Sequence, residues 1–264
     1  MDLALLRDVS PSIARCELTY LERQPIDYAR AVEEHARYGQ VLSDLGLSVV
    51  SLGGDARYPD CCFVEDTAVV LDEIAVVTRP GAESRRGETS VVAEALAAWR
   101  PVVAVEPPGT IDGGDVLAIA RRIFVGRSRR TNEAGIEALR TIVAPHGYAV
   151  VPVAVTGCLH LKSAVTALDE GSLIANGDWI DLRPFGGFEV VPVPGEEPWA
   201  ANVLAVRGRV LASAAAPLTR ALLEKRGLAV IPLPLTEFEK AEAGATCKSL
   251  LFRRRPFASP GGRG

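Results

Sequence analysis

One succession keeps returning along this chain: two short apolar strands in tandem, a helix, then a third strand. Residues 63–70 and 74–78, separated by the turn Leu71-Asp-Glu73, read as a hairpin; a helix over 91–99 and a strand over 102–105 follow. The second copy has strands 115–120 and 123–125, a helix over 132–144 and a strand over 149–153. The third has strands 163–168 and 173–175, a short or distorted helix near 177–181 and a strand over 188–193. The fourth has strands 202–206 and 210–214, a helix over 217–226 and a strand over 228–233. The closing strands look alike: Ala149-Val-Val-Pro-Val153, Glu189-Val-Val-Pro-Val193 and Ala229-Val-Ile-Pro-Leu233. Proline after a β-branched pair suits a strand end or a sheet edge, because it donates nothing to a further neighbour.

A fifth copy is split. Cys247-Lys-Ser-Leu-Leu-Phe252 supplies a strand near the end of the sequence, and residues 16–52 supply the helix and last strand near its start. That helix covers 26–45, with Pro25 suited to its beginning and Gly46 to its end, and the strand covers 47–52. Repeats of about 40 to 50 residues mean a solenoid, a propeller or a similar array, and a repeat shared by both termini favours a closed ring. The expected fold is α/β: a five-bladed α/β propeller of ββαβ repeats, one domain over 1–264, its last blade closed by both termini. Helices lie outside and first strands line the axis. A doubly wound sheet would instead alternate single strands with helices.

Polar groups stand at the mouths of the first strands. In Thr110-Ile-Asp-Gly-Gly-Asp-Val116 two carboxylates bracket a glycine pair before an apolar run, which is costly unless a cation or hydrogen bonds satisfy them. Glu65-Asp66, His160, Asn202 and Cys247 repeat the layout. Five such mouths meeting around one axis would build one site.

Composition removes several function classes. The net charge of −4 gives no electrostatic footprint for nucleic acid, and no apolar run approaches membrane-spanning length. The opening Met1-Asp-Leu-Ala-Leu-Leu-Arg-Asp8 lacks a signal peptide's basic start and long apolar core, so the expected compartment is cytoplasmic. The five cysteines have no framework spacing and are expected to be free thiols, with Cys16, Cys61, Cys62 and Cys158 buried and inert. A zinc site from Cys61, Cys62, Cys158 and His160 stays open, although nothing in their spacing argues for it.

Cys247 differs from the other thiols. Glycine and small residues precede it in Gly244-Ala-Thr-Cys-Lys-Ser249, and it stands where a strand begins. A thiolate there would be a nucleophile, given a lowered pKa or a neighbouring cation. His160, in Cys158-Leu-His-Leu-Lys-Ser163, is the one histidine at a strand mouth; His35 lies within a helix and His146 in a helix-ending Pro-His-Gly. Glu65-Asp66 lies between apolar pairs, so at least one of the two carboxylates faces inward. Inward acids drawn from Asp60, Glu65, Asp66, Asp112 and Asp115, without a metal motif, imply a cationic ligand. A guanidinium, planar with five donors, matches paired carboxylates. Arg85 and Arg130 follow the second strands of the first two copies and are either surface arginines or binders of a carboxylate on the same ligand.

In these residues the chain resembles the dimethylarginine dimethylaminohydrolases of the pentein, or guanidino-group-modifying, superfamily. The matching segments are Glu17-Leu-Thr-Tyr-Leu-Glu-Arg23, Pro59-Asp-Cys-Cys-Phe-Val-Glu-Asp-Thr-Ala68, Thr78-Arg-Pro-Gly-Ala-Glu-Ser-Arg-Arg86, Asp112-Gly-Gly-Asp-Val116, Gly126-Arg-Ser-Arg-Arg-Thr-Asn132, Leu159-His-Leu-Lys-Ser163 and Thr246-Cys247. The likeness runs from Glu17 to Leu251. It implies Cys247 as nucleophile, His160 as general acid and base, and Asp112 as its acidic partner. It further implies that Asp60, Glu65 and Asp66 bind the guanidinium end, and that Arg85 and Arg130 hold the α-carboxylate. Leu18 would sit on a mobile lid at the α-amino end, and the main chain near Ala241, before Glu242-Ala-Gly-Ala245, would contribute contacts.

The reaction so implied is hydrolysis of a methylated arginine, the small-molecule partner, to citrulline and a methylamine, with no metal or organic cofactor. Whether the chain forms a homodimer is left open. Arginine deiminases and amidinotransferases usually run longer, with added segments for which this chain has no room. A non-catalytic pentein, such as the ribosome-binding anti-association factors, has no use for Cys247, His160 and Asp112 together, and inward acids argue against a bare structural propeller. The tail Arg253-Arg-Arg-Pro256 and the Pro/Gly-rich end lie outside the resemblance, and residues 253–264 are expected to be disordered.

Overall fold

The blade in which the chain begins is also the blade in which it ends. In the computed structural model, which describes residues 1–254, β1 (Leu3–Arg7) is a middle strand. It pairs in parallel with β2 (Ser48–Leu52) and antiparallel with the C-terminal strand β15 (Leu250–Phe252), in the register Leu3 to Phe252. The fifth repeat is thus split as expected, and its middle strand is the opening segment, all five residues of which are buried. From residue 255 onward the expected disordered tail lies outside the described residues.

Four more three-stranded sheets follow in order among the described residues. They are β3 (Ala68–Val70), β4 (Ala75–Val77) and β5 (Val102–Ala104); β6 (Val116–Ile119), β7 (Arg122–Arg127) and β8 (Ala149–Ala154); β9 (Val165–Ala167), β10 (Ser172–Ala175) and β11 (Glu189–Pro192); and β12 (Leu204–Val206), β13 (Arg209–Ser213) and β14 (Val230–Leu233). In each, the first two strands are antiparallel and the second and third parallel, as a tight turn and a longer crossover require. Pro152, Pro192 and Pro232 occupy edge strands, each opposite the matching position of its middle strand: Val125, Ala175 and Ala212.

Most crossovers are helical. They use α1 (Tyr28–Asp44), α2 (Thr89–Ala97), α3 (Glu133–Val143) and, beyond the four-residue α4 (Leu161–Ala164), α5 (Pro217–Lys225). Asp27 and Asn132 cap α1 and α3 by accepting the amides of Arg30 and Gly135. The third blade departs from expectation. Instead of a helix near 177–181 it has one 3-10 turn, Arg183–Phe185, because Gly177, Pro184, Gly186 and Gly187 interrupt propagation.

Apolar side chains fill the spaces between neighbouring blades; Val76, Ile111, Ile123 and Leu139 form one such cluster. Truncating a residue as buried as Ile123 or Leu139 to alanine costs about 2 to 5 kcal/mol. The first strands meet around a cavity of about 200 Å³, lined by Val69, Leu117, Thr166, Leu204 and Leu250, one from each blade.

These first strands are shorter than the sequence suggests. Val64–Thr67 and Gly113–Asp115 are 3-10 turns, and α4 precedes β9, so the polar residues ride on single helical turns ahead of the strands. Successive side chains on such a turn point about 100° to 120° apart, which lets adjacent residues serve different spaces.

Candidate active site

Two of these turns close on each other only because of the glycine pair. A Cβ on Gly113 would come within 2.0 Å of the Glu65 carbonyl oxygen, and one on Gly114 within 2.6 Å of both Asp66 Oδ1 and His160 Nδ1. The Gly114 amide instead donates to Asp66 Oδ1 at 3.0 Å. Asp115, on the same turn, accepts from the Leu161 amide at 2.9 Å and from the hydroxyls of Ser128 and Thr131, both at 2.6 Å. It fixes the start of α4, where His160 sits as the residue before the first turn. Burial, helped by Asp112, raises the Asp115 carboxyl to about 6.

His160 is held between acids. Its Nε2 lies 3.0 Å from Asp112 Oδ2 and its Nδ1 3.7 Å from Asp66 Oδ1. Asp112, fully buried, also accepts the Gly81 amide at 2.8 Å, so its orientation is fixed from two sides. Burial opposes the imidazolium, but Asp66, Asp112 and Asp115 outweigh it and raise His160 to about 9. Burial also opposes the Asp66 carboxylate, which His160 and Arg85 nevertheless hold down at about 2.

Of the five cysteines Cys247 alone is not fully buried. Its Sγ receives the Gly244 amide at 3.4 Å and the Asn202 side-chain amide at 3.8 Å. Asn202, the mouth of the fourth blade, also accepts the Thr246 amide at 2.9 Å. The site does not lower the thiol: burial, then Glu65 and Asp66, push it up to about 11. Burial also raises the other four, Cys16 to about 11 and Cys158 to about 12.

A small pocket of about 20 Å³ brings together Asp60, Asp66, Arg85, Arg130, His160, Ala241 and Cys247. Asp112 stands behind His160 and does not line it, and Leu18 is absent from its wall, half-buried against the apolar cluster that includes Ala241 and touches Cys247. Glu65 faces the axial cavity instead, 2.5 Å from Lys162 Nζ and 2.6 Å from Thr246 Oγ1. Glu65 and Asp66 thus serve opposite sides of one 3-10 turn.

The two arginines are not equivalent. Arg85 donates to Asp66 at 2.6 Å, to both oxygens of Glu88, and to the carbonyls of Phe63 and Asp60, which leaves one N–H on Nη1. Glu88 is a site residue that the sequence signalled only through its place three residues after Arg85. Arg130 is buried, yet its guanidinium has no hydrogen-bond or ion-pair partner among the described residues. It is a cation prepared for an anion.

Residues 17–21 are tied to two acids that line the pocket, Asp60 and Glu242. The Glu17 amide donates to both carboxylate oxygens of Asp60 at 3.2 Å. Glu242 Oε1 accepts the amides of Thr19 at 2.9 Å, Tyr20 and Leu21 at 2.7 Å, while Oε2 is buried without a hydrogen-bond partner among the described residues. Glu242 adopts left-handed backbone, φ 57°, to make this reach. Its signal in the sequence was one acid among alanines and glycine just before the nucleophile segment.

The thiols of Cys61, Cys62 and Cys158 form no metal-ligating group with the His160 ring among the described residues; the Cys158 thiol donates instead to the His160 carbonyl at 3.1 Å. Among the described residues, only Asp66, Asp112 and His160 bring three metal-ligating atoms within 4.8 Å. Those three already satisfy one another, Arg85 and two backbone amides, so the arrangement suits proton transfer beside a cation.

Residues 19–171 match the family model for N,N dimethylarginine dimethylhydrolase, eukaryotic. The chain is 43% identical over 252 residues to the N(G),N(G)-dimethylarginine dimethylaminohydrolase of Streptomyces coelicolor, covering 95% of this chain and 96% of that one. To the enzyme of the same name from Pseudomonas aeruginosa it is 36% identical over 228 residues, 86% and 90% of the two chains. A solved cysteine-to-serine mutant of the Pseudomonas aeruginosa protein, complexed with citrulline, has a TM-score of 0.91 at 34% identity, covering 95% and 99%. A histidine-to-glycine dimethylarginine dimethylaminohydrolase captured as an adduct with S-methyl-L-thiocitrulline matches equally, TM-score 0.91.

Proposed function

The chain belongs to the dimethylarginine dimethylaminohydrolase family, and from that premise we propose that it hydrolyses N-ω-methylated L-arginine to L-citrulline and methylamine or dimethylamine. The observation that carries the reading is one pocket in which Cys247, His160 backed by Asp112, and the unpaired cation Arg130 stand together.

The ligand's carboxylate meets Arg130, and its guanidinium enters beside Asp66. That cation offsets the carboxylates that hold the thiol neutral, so Cys247 becomes a thiolate when substrate is present. The sulfur forms a bond to the guanidinium carbon. His160, an imidazolium at neutral pH, gives its proton to the methylamine nitrogen as the C–N bond breaks, leaving a thiouronium on Cys247. Neutral His160 then takes a proton from water as the oxygen bonds to the same carbon. The C–S bond breaks as the hydroxyl becomes the carbonyl, its proton passing to the departing sulfur or to solvent, and citrulline and Cys247 remain. Asp112 keeps the ring oriented in both halves.

No helix among the described residues is long and apolar enough to cross a membrane, and a cytoplasmic place of action completes the proposal. Incubation with arginine, monomethylarginine and asymmetric dimethylarginine, followed by chromatography, tests it. Citrulline with a matching amount of methylamine or dimethylamine is expected. Citrulline from arginine alone, or from none of the three, overturns the reading.

A further inference from the structure

Directly after the nucleophile stands a lysine with no exposed surface. Lys248 Nζ donates to the Gly244 carbonyl at 2.6 Å and lies over the rings of Tyr38, at 4.7 Å, and Phe238, at 5.1 Å. It has no ion-pair partner among the described residues. Gly244 is also the residue whose amide meets Cys247 Sγ at 3.4 Å, so ammonium and sulfur grip the same glycine.

An unpaired buried ammonium is an expensive way to fill space. Aromatic faces and one carbonyl return part of the lost hydration, but a methionine would fill a similar volume with no charge to desolvate. Stability therefore does not explain the residue. The surroundings of the thiol do. Glu65, on the axial side, and Asp66, on the pocket side, both act on it from the turn before β3 and disfavour the thiolate. The groups acting on Lys248 are Cys247 itself, Cys62 and Glu65, with Glu34 from α1; His35 and Tyr38 lie on that same helix. Burial lowers the lysine to about 8, which leaves it largely charged at neutral pH.

We propose that Lys248 is a positioning residue for the nucleophile: its ammonium, buried behind Cys247, holds the Gly244–Cys247 turn and supplies the fixed positive charge that favours the thiolate. This rests on the reading of Cys247 as nucleophile. The acids on the pocket side attract the substrate cation, and the lysine on the core side keeps them from silencing the sulfur.

The test is the pH dependence of iodoacetamide alkylation at Cys247, followed by mass spectrometry of its peptide in the full chain and in Lys248→Met. Alkylation needs no substrate, so its outcome is independent of which guanidino compound is turned over. Loss of the charge should move the midpoint upward and slow alkylation below it by about tenfold. A structural role alone would change the melting temperature and leave the midpoint in place. An unmoved midpoint in folded Lys248→Met overturns the proposal. Where Lys248→Met does not fold, Lys248→Gln decides, since it keeps an N–H for Gly244 and loses only the charge: an upward shift supports the proposal, and none overturns it.

Discussion

Arg85 Nη1 sits 2.6 Å from Asp66 Oδ2, and neither side chain is more than about one-twentieth exposed. The pair fixes one of the two acids that flank the histidine and makes Arg85 part of the pocket's frame. Arg130, without a side-chain partner among the described residues, is the freer of the two for a ligand.

The two arginines should therefore fail differently when removed. Arg85→Ala takes the paired cation from buried Glu88 and leaves Asp66 only His160, at a cost of about 3 to 5 kcal/mol, with a melting temperature lower by about 10 °C. Arg130→Ala should melt like the wild type and raise KM for methylarginine by about 10- to 100-fold, the worth of a charged hydrogen-bonded contact. Decarboxylated analogues should be spared. Calorimetry and steady-state kinetics on both variants check this, and equal thermal losses would contradict it.

A covalent intermediate should be visible on one peptide. His160→Gly removes the proton donor for a poor leaving group and should slow turnover by about 10² to 10⁴-fold while substrate still binds. Cys247→Ser should form neither adduct nor citrulline. Mass spectrometry of acid-quenched enzyme would locate the added mass; finding it on Cys61, Cys62 or Cys158 would refute the mechanism.

Glu242 bears on how the pocket opens. Its Oε1 accepts three consecutive amides, so Glu242→Gln, which weakens a charged acceptor to a neutral one, should loosen residues 19–21. Hydrogen exchange of those amides should quicken by about tenfold, with KM raised more than kcat is lowered. Unchanged exchange would show that the segment is held by something else.

The histidine also sets a pH dependence of stability. His160 is raised from 6.5 to about 9 by its acids, so its contribution is full below pH 6.5 and is lost as pH climbs through 9. Lys248, lowered to about 8, acts in the opposite sense at the upper end. The difference in melting temperature between wild type and His160→Asn isolates the first effect. It should shrink steadily from pH 6.5 to 9, and a constant difference would contradict the coupling.

The ring was legible because each repeat is local: a strand pair, a helix and a strand ending in Val-Pro or Ile-Pro report themselves within about 45 residues. The missing strand was not. Leu3–Arg7 is buried on both faces, shows no alternation, and finds one of its partners at the far end of the chain. Residue types at the strand mouths announced an acidic, cationic-ligand site, yet not which acid faces it. Glu65 and Asp66 are neighbours in sequence and serve different cavities, because a 3-10 turn rather than a strand carries them. The same holds for the arginines, whose difference lies in Glu88 and in main-chain carbonyls that no spacing displays.

The pairing of β1 with β15 also dictates when activity can first arise. During synthesis the histidine, the acids Asp60, Glu65, Asp66 and Asp112 and both arginines emerge before residue 247. The sulfur arrives in the segment that leads into β15, and β15 must find a strand made at the outset before the fifth blade is whole. A nascent or truncated chain that lacks this segment lacks Cys247, which the proposed reaction requires. Competence and closure of the fifth blade are therefore the same event.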